Sequence, residues 1–312
     1  MISRLRNSLG KWHRTMTTTS LGSQVPLAYD LYEPSNSLRS SNPIIVIHGL
    51  FGSKKNNRGI SKVLARDLRR PVYTIDLRNH GDSPHNSQHD YLCMARDVEA
   101  FIIAHSLKNS TIIGHSMGAK TAMMLALVSP TLVHDVVSVD NAPIRNMFQD
   151  DFASYIRGMK LVEEQNVFKQ SEADKILQNF VKVGFGGFIE IHINNTLITL
   201  RIQSLSVRQF LLGNFYHTEK GILRSKVPLD ILNHSLENLR DFPIRDSSIK
   251  KFINPALFIR GTKSRYVTDD MFHEIEKFFP RYKLVDVEAS HWLISENPED
   301  FRKAVVNFLG SA

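Results

Sequence analysis

Cysteine is nearly missing from this 312-residue chain, in which Cys93 stands alone. A single thiol excludes an internal disulfide and leaves no basis for a Cys-rich metal site. Apolar runs such as Pro43–Ile47 are strand-sized, far short of the ~18 residues that a membrane-spanning helix needs. Neither H-E-x-x-H nor G-x-x-x-x-G-K-S/T occurs, so zinc-protease and P-loop chemistries find no motif. The segment Gly184-Phe185-Gly186-Gly187 lacks dinucleotide-loop spacing. Internal repeats and long low-complexity stretches are also missing. What remains is the composition of an ordinary globular enzyme, with 42% hydrophobic and 22% charged residues.

Acidic residues are missing from one stretch in particular. Residues 1–29 carry Arg4, Arg6, Lys11 and Arg14, and the first carboxylate is Asp30. Ile2, Leu5, Leu9, Trp12 and Met16 fall at helical spacing, among many Ser and Thr. A basic, amphipathic, hydroxyl-rich terminus reads as a mitochondrial presequence over residues 1–24, with a disordered tail as the alternative. Those four basic residues supply half of the net charge of +8. The other cations are scattered without aromatic interleaving, which argues against a nucleic-acid partner.

From residue 25 onward, short β-branched runs alternate with helix-length segments. Ile44–Ile47, Val72–Ile75, Thr111–Ile113, Val136–Val139, Ala256–Ile259 and Leu284–Val287 read as strands. Gly59–Leu68 and Tyr91–Ser106 read as helices between them. Continuous apolar strands separated by helices predict a mostly parallel sheet covered on both faces. Right-handed crossovers then put the strand C-termini, and a ligand crevice, on one edge. The alternation stops between about Asn141 and Ser248, where the pattern is mainly helical. The chain therefore divides into a core of residues 25–140 and 249–312 and an inserted helical lid over 141–248. Asn297, Pro298, Glu299 and Asp300 signal the start of a last helix.

Gly114-His115-Ser116-Met117-Gly118 lies between the strand Thr111–Ile113 and a helix-like run from Ala119 to Leu127. Strand, G-x-S-x-G and helix together form a nucleophile elbow, in which a sharp turn lifts the Ser116 hydroxyl above the sheet edge. A serine hydroxyl needs a base and an orienting acid, expected in the chain order Ser, acid, His. Among the 13 histidines, His291 follows a strand C-terminus by the short loop Glu288-Ala289-Ser290. It opens on the same edge as Ser116. His273 falls within a helical pattern and reads as a surface residue. His115 sits in the elbow itself and reads as structural, or as part of a pocket wall with Phe51 and Trp292.

The acid departs from the usual pattern. The loop Gly261-Thr262-Lys263-Ser264 has serine where a G-x-x-D pattern would put aspartate. Asp140 ends the strand Val136–Val139 and is the favoured substitute; Asp269, five residues past Ser264, is the alternative. Two backbone N–H donors are needed for an oxyanion. Met117 follows the nucleophile, and Leu50 lies in the loop His48-Gly49-Leu50-Phe51-Gly52-Ser53. The loop Asp76–Ser83 shares that edge and is expected to brace the site, with His48 and His80 as packing groups.

Taken together, His48–Ser53, Asp76–Gly81, Gly114–Gly118 and Ser290-His291-Trp292 resemble the α/β-hydrolase superfamily from about residue 25 to the C-terminus. Gly52–Arg58, Val139-Asp140-Asn141-Ala142-Pro143 and the missing late aspartate resemble its mitochondrial branch of fungal ethanol O-acetyltransferases and related esterases. That resemblance implies Asp140 as the triad acid. It also implies acetyl transfer from acetyl-CoA to ethanol through Ser116, with thioester and short-ester hydrolysis alongside and no cofactor. A small, dry alcohol pocket near Leu50, Phe51 and Met117 is then expected. A carboxylesterase or thioesterase without alcohol transfer, and a non-catalytic binding protein on the same fold, are the competing readings.

Overall fold

A computed structural model of the chain describes residues 24–34, 42–107, 109–145, 150–181, 189–193, 196–200, 202–246 and 250–310. The expected presequence, save Gln24, and Gly184, Gly186 and Gly187 lie outside the described residues. The strands are β1 Tyr29–Tyr32, β2 Ile44–Ile47, β3 Val72–Ile75, β4 Ser110–His115 and β5 Val133–Val139. They continue with β6 Ile189–Ile193, β7 Thr196–Leu200, β8 Phe215–His217, β9 Leu223–Ser225, β10 Ala256–Gly261 and β11 Tyr282–Val287. The helices in the first half are α1 Arg58–Leu68, α2 Tyr91–Ala104, α3 Met117–Val128, α4 Asp150–Glu164 and α5 Gln170–Leu177. The second half adds α6 Ile202–Leu212, α7 Leu229–Arg240, α8 Phe272–Phe278, α9 Leu293–Glu296 and α10 Pro298–Gly310.

Seven strands form one sheet in the order β1-β3-β2-β4-β5-β10-β11. All neighbours are parallel except the β1–β3 pair, which is antiparallel. The alternation of side chains explains why strands such as Ile44-Ile45-Val46-Ile47 are apolar throughout. Ile45 and Ile47 face a core shared with α2 and α3, through Met94, Val98 and Met123. Ile44 and Val46 face the other way, onto Leu64 of α1 and Phe301 and Val305 of α10. The Asp300 N–H binds Asn297 Oδ1 at 3.3 Å, so α10 begins at the expected cap.

All six strands expected from the sequence are present. The edge strand β1 adds a seventh; its residues Tyr29-Asp30-Leu31-Tyr32 are all partly or fully exposed, so it carries no continuous apolar run. The segment between β5 and β10 was expected to be mainly helical. It holds α4 to α7, and it also holds two antiparallel hairpins, β6–β7 and β8–β9. The β8–β9 turn passes through Gly221 at φ +78°, a conformation that favours glycine.

This intervening segment is fastened to the core from beneath. The Tyr91 hydroxyl donates to the Leu239 carbonyl at 2.7 Å. The Lys120 ammonium, on α3, donates to the carbonyls of Arg240 and Asp241 at 2.8 and 3.2 Å. These carbonyls end α7, where a helix presents unpaired acceptors and partial negative charge. Burial pulls the Lys120 ammonium down to about 7. Among the described residues, no helix is long and apolar enough to cross a membrane.

Candidate active site

Ser116 stands between β4 and α3 at φ 55° and ψ −115°. A non-glycine residue held there stores about 1–3 kcal/mol of strain, so its surroundings must over-determine it. The two elbow glycines do so by contact. A methyl group on Gly114 would lie 2.1 Å from the Gly118 carbonyl oxygen. One on Gly118 would lie 2.6 Å from the carbonyl oxygens of Ile47 and His48. The Ser116 N–H donates to the Val139 carbonyl at 3.0 Å, and Asn141 Nδ2 donates to the Ser116 carbonyl at 3.1 Å.

Three loops from distant parts of the chain meet at this serine. His291 Nε2 lies 2.9 Å from Ser116 Oγ, and His291 Nδ1 lies 2.7 Å from Asp140 Oδ2. Asp140 is fully buried at the end of β5, with φ 52°, and its N–H donates to the Ile259 carbonyl at 2.8 Å. Its carboxylate accepts two further bonds from the loop after β10. Gly261 N–H donates to Oδ1 at 3.1 Å, and Ser264 Oγ donates to Oδ2 at 2.5 Å. Asp269 is elsewhere, largely exposed and paired with Arg260. His273 is exposed on α8.

Several residues around this chain of bonds carried no role in the sequence reading. Ser264 occupies the place of the missing aspartate and binds the carboxylate that replaces it. The Tyr266 ring stacks on the His291 imidazole, with centroids 3.7 Å apart and planes 15° apart. Its N–H donates to Ser264 Oγ at 3.2 Å, which ties the stack to the carboxylate. Glu296 accepts from the N–H and hydroxyl of Ser290, both at 2.7 Å, and so fixes the residue before His291. The only sequence signal for any of these was the broken G-x-x-D pattern at Ser264.

The loop after β2 approaches Ser116 from the opposite side. A methyl group on Gly49 would lie 3.2 Å from Ser116 Cβ. As the first residue of α3, Met117 has an N–H with no intrahelical acceptor. Among the described residues, neither this N–H nor that of Leu50 has a partner. Both are available for a developing oxyanion. Two buried neutral histidines hold the loop. His48 donates from Nδ1 to the Gly49 carbonyl at 2.8 Å and accepts the Leu77 N–H at Nε2, 3.0 Å away. His80 donates to the Arg78 carbonyl at 3.0 Å and accepts the Phe51 N–H at 3.1 Å. Burial lowers the basicity of both rings. Below them, the fully buried Asp76 accepts the Lys54 N–H and ammonium, each at 2.6 Å, and the Asp82 N–H at 2.9 Å.

A cavity of about 460 Å³ opens above Ser116 and His291. Ile60 and Val63 of α1, Phe210 of α6, Trp292 and Ile294 give it a mainly apolar wall, and it reaches Glu299 and Arg302 on α10. His115 and Trp292 line it as expected for pocket residues. His115 also donates from Nε2 to the His291 carbonyl at 2.8 Å, while burial lowers its pKa to about 4. Phe51 does not line either cavity at the serine. It is buried at φ 61°, with its ring near Phe152 and its carbonyl bound by Asn214 at 2.9 Å. The cavity is also larger than the small alcohol pocket that was expected. Ser116 also lines a second chamber of about 20 Å³, bounded by Leu50, Met117, Tyr91, Leu236, Leu239 and Tyr266.

Residues 42–298 match the family model described as alpha/beta hydrolase fold. The chain is 35% identical over 301 residues to a probable alcohol acetyltransferase of Saccharomyces cerevisiae, covering 92% of this chain and 84% of that one. It is also 35% identical over 292 residues to the sn-1-specific diacylglycerol lipase ABHD11 of Xenopus tropicalis, covering 92% and 83% respectively. Among solved structures, a marine microorganism esterase superposes with a TM-score of 0.77 at 30% identity, covering 91% of this chain and all of that one.

Proposed function

The chain belongs to the α/β-hydrolase family, and on that premise we propose that it is a serine-dependent acyltransferase, moving acetyl from acetyl-CoA to an alcohol such as ethanol. The observation that carries the acyl-transfer chemistry is the unbroken path Ser116–His291–Asp140, at 2.9 and 2.7 Å. In the proposed mechanism, His291 Nε2 takes the Ser116 hydroxyl proton as Oγ bonds to the thioester carbonyl carbon. The oxyanion is held by the Leu50 and Met117 N–H groups. The C–S bond then breaks and the leaving thiolate receives the proton from His291. An alcohol enters, gives its proton to His291 and attacks the acyl carbon. The bond to Ser116 Oγ breaks as Oγ takes the proton back from His291, and the ester leaves. Asp140 orients the imidazole and stabilises its protonated form throughout.

Water completes the same cycle as a hydrolase, so thioesterase and esterase activities belong to this reading. Each tenfold preference for alcohol over water requires about 1.4 kcal/mol of differential barrier. The apolar wall of the main cavity supports such a preference, as does the named activity of the yeast relative. The acid-free segment over residues 1–29 supports a mitochondrial location as part of the same proposal. A second reading, hydrolysis of a larger lipid ester, is favoured by the cavity volume of about 460 Å³, well above what acetyl and ethanol fill. Incubating the purified protein with acetyl-CoA and ethanol, and measuring ethyl acetate and acetate together, separates these readings. Ethyl acetate that disappears in Ser116→Ala supports transfer; acetate alone makes the protein a hydrolase.

A further inference from the structure

Ser116 lines two chambers, and they differ more than twentyfold in volume, about 460 against about 20 Å³. An acyl-transfer substrate also has two arms, one on each side of the carbonyl. Proton transfer decides which arm goes where. The departing heteroatom must receive its proton from His291 Nε2, so it lies within hydrogen-bond reach of that ring. His291 lines the large cavity and does not line the small one. The carbonyl oxygen must meet the Leu50 and Met117 N–H groups; Leu50 bounds both chambers, and Met117 bounds the small one and not the large one.

We propose that the small chamber is the acyl subsite and the large apolar cavity is the shared subsite of leaving group and acceptor. This assignment rests on the acyl-transfer reading given above and adds its substrate class: esters and thioesters with a short acyl arm and a long, apolar-tolerant partner. At about 20 Å³ against about 460 Å³, the small chamber is much the tighter of the two and favours a short acyl arm. A lengthening acyl arm runs toward Leu236, Leu239 and the Tyr266 ring. The acceptor side has no such limit. Alcohols longer than ethanol extend between Ile60 and Val63 of α1 and Ile294 beyond the histidine.

Two ester series that share ethyl acetate test the assignment. One lengthens the acyl arm through ethyl butyrate to ethyl hexanoate; the other lengthens the alcohol arm through butyl to hexyl acetate. The expected kcat/KM falls about tenfold or more from acetyl to butyryl, the scale of a methylene or two against a filled wall. Along the alcohol series it holds level or rises. Leu236→Ala is expected to raise the ethyl butyrate to ethyl acetate ratio of kcat/KM several-fold while the hexyl acetate to ethyl acetate ratio stays level. Val63→Phe is expected to depress kcat/KM on hexyl acetate about tenfold more than on ethyl acetate. Ethyl hexanoate turned over faster than hexyl acetate would overturn the assignment by reversing the arms, and equal profiles would overturn it too. Ser116-independent turnover, or turnover of none of the esters, would instead sink the acyl-transfer reading beneath it.

Discussion

The two halves of the sheet serve Ser116 by different physical means. On the β2–β3 side, the groups that shape the oxyanion loop act mainly on backbone, the Lys54 ammonium on Asp76 apart. His48, His80 and Asp76 each accept a main-chain N–H, and the first two also donate to a main-chain carbonyl. On the β5–β10–β11 side, one buried carboxylate collects side-chain donors, His291 and Ser264, with a single backbone N–H. The first side sets a shape and the second sets a charge. Loss of shape is shared among many bonds, whereas the charge resides in one residue.

That contrast orders the expected effects of substitution. The largest is Asp140→Asn, which keeps the packing but removes the charge facing His291 Nδ1. A loss of about 10⁴-fold in kcat is expected in steady-state assays of ester hydrolysis. A loss below tenfold would transfer the acid role elsewhere. Next comes His80→Ala on the opposite side. It leaves the buried Phe51 N–H unpaired, at about 1–3 kcal/mol, so a lower melting temperature should accompany a fall in kcat of at most about 10²-fold. If Asp140→Asn loses more stability than activity, or His80→Ala the reverse, the division between shape and charge fails.

Smaller effects sharpen the comparison on the acid side. Ser264→Ala removes one of three donors to Asp140 and is expected to cost about tenfold in kcat, the worth of one hydrogen bond to a charged group. In an Asp140→Asn background, Ser264→Asp returns a carboxylate to within reach of the same partners. Partial recovery of activity would show that the loop retains a place for the charge. Asp269→Asn should stay within a few-fold of the parent protein, since that carboxylate is mostly exposed and faces Arg260.

Acid should act on the other half. His48, His80 and His115 are all less basic in the fold than the ordinary value of 6.5, chiefly through burial. Below pH 6.5 the unfolded chain therefore binds more protons than the native one. The stability these rings contribute is present above pH 6.5 and is lost as pH falls toward about 4, the value for His115. Denaturant midpoints measured from pH 7.5 to 4.5 should fall, and His115→Asn should flatten the lower part of that slope.

The two halves also differed in how far the sequence disclosed them. Strands buried on both faces are continuous apolar runs, so β2, β3, β4, β5 and β10 could be placed directly, while β11 lies at the sheet edge and showed only the short run Leu284–Val287. The strand β1, Tyr29-Asp30-Leu31-Tyr32, lies at an exposed edge and has no continuous apolar run to signal it. The oxyanion loop and Asp76–Ser83 carry glycines at positions where a methyl group would clash, such as Gly81 against the Asp76 carboxyl at 2.2 Å. Steric demands of that kind leave a local motif. The acid side leaves only the broken G-x-x-D pattern and Asp140 at a strand end, because Ser264 acts across 124 residues on Asp140 and Tyr266 acts by stacking on His291. Stacking and long-range donation have no spacing rule. The hairpins between β5 and β10 were missed for a similar reason: the strands of β8–β9 have three residues each, and the Leu223 N–H donates to the Val167 carbonyl, far away in sequence.

The large cavity lined by His291 has a consequence in time. On the proposed acyl-transfer reading, a donor's departing half and the incoming alcohol occupy the same volume, so they take turns. The departing thiol would have to drain before an acceptor could be seated, and an alcohol that arrived early would block the donor. Velocity should then climb and turn downward as alcohol concentration rises, with free thiol competing against alcohol for the acylated form. A single waiting room serves both guests, and its emptying sets the rhythm of turnover.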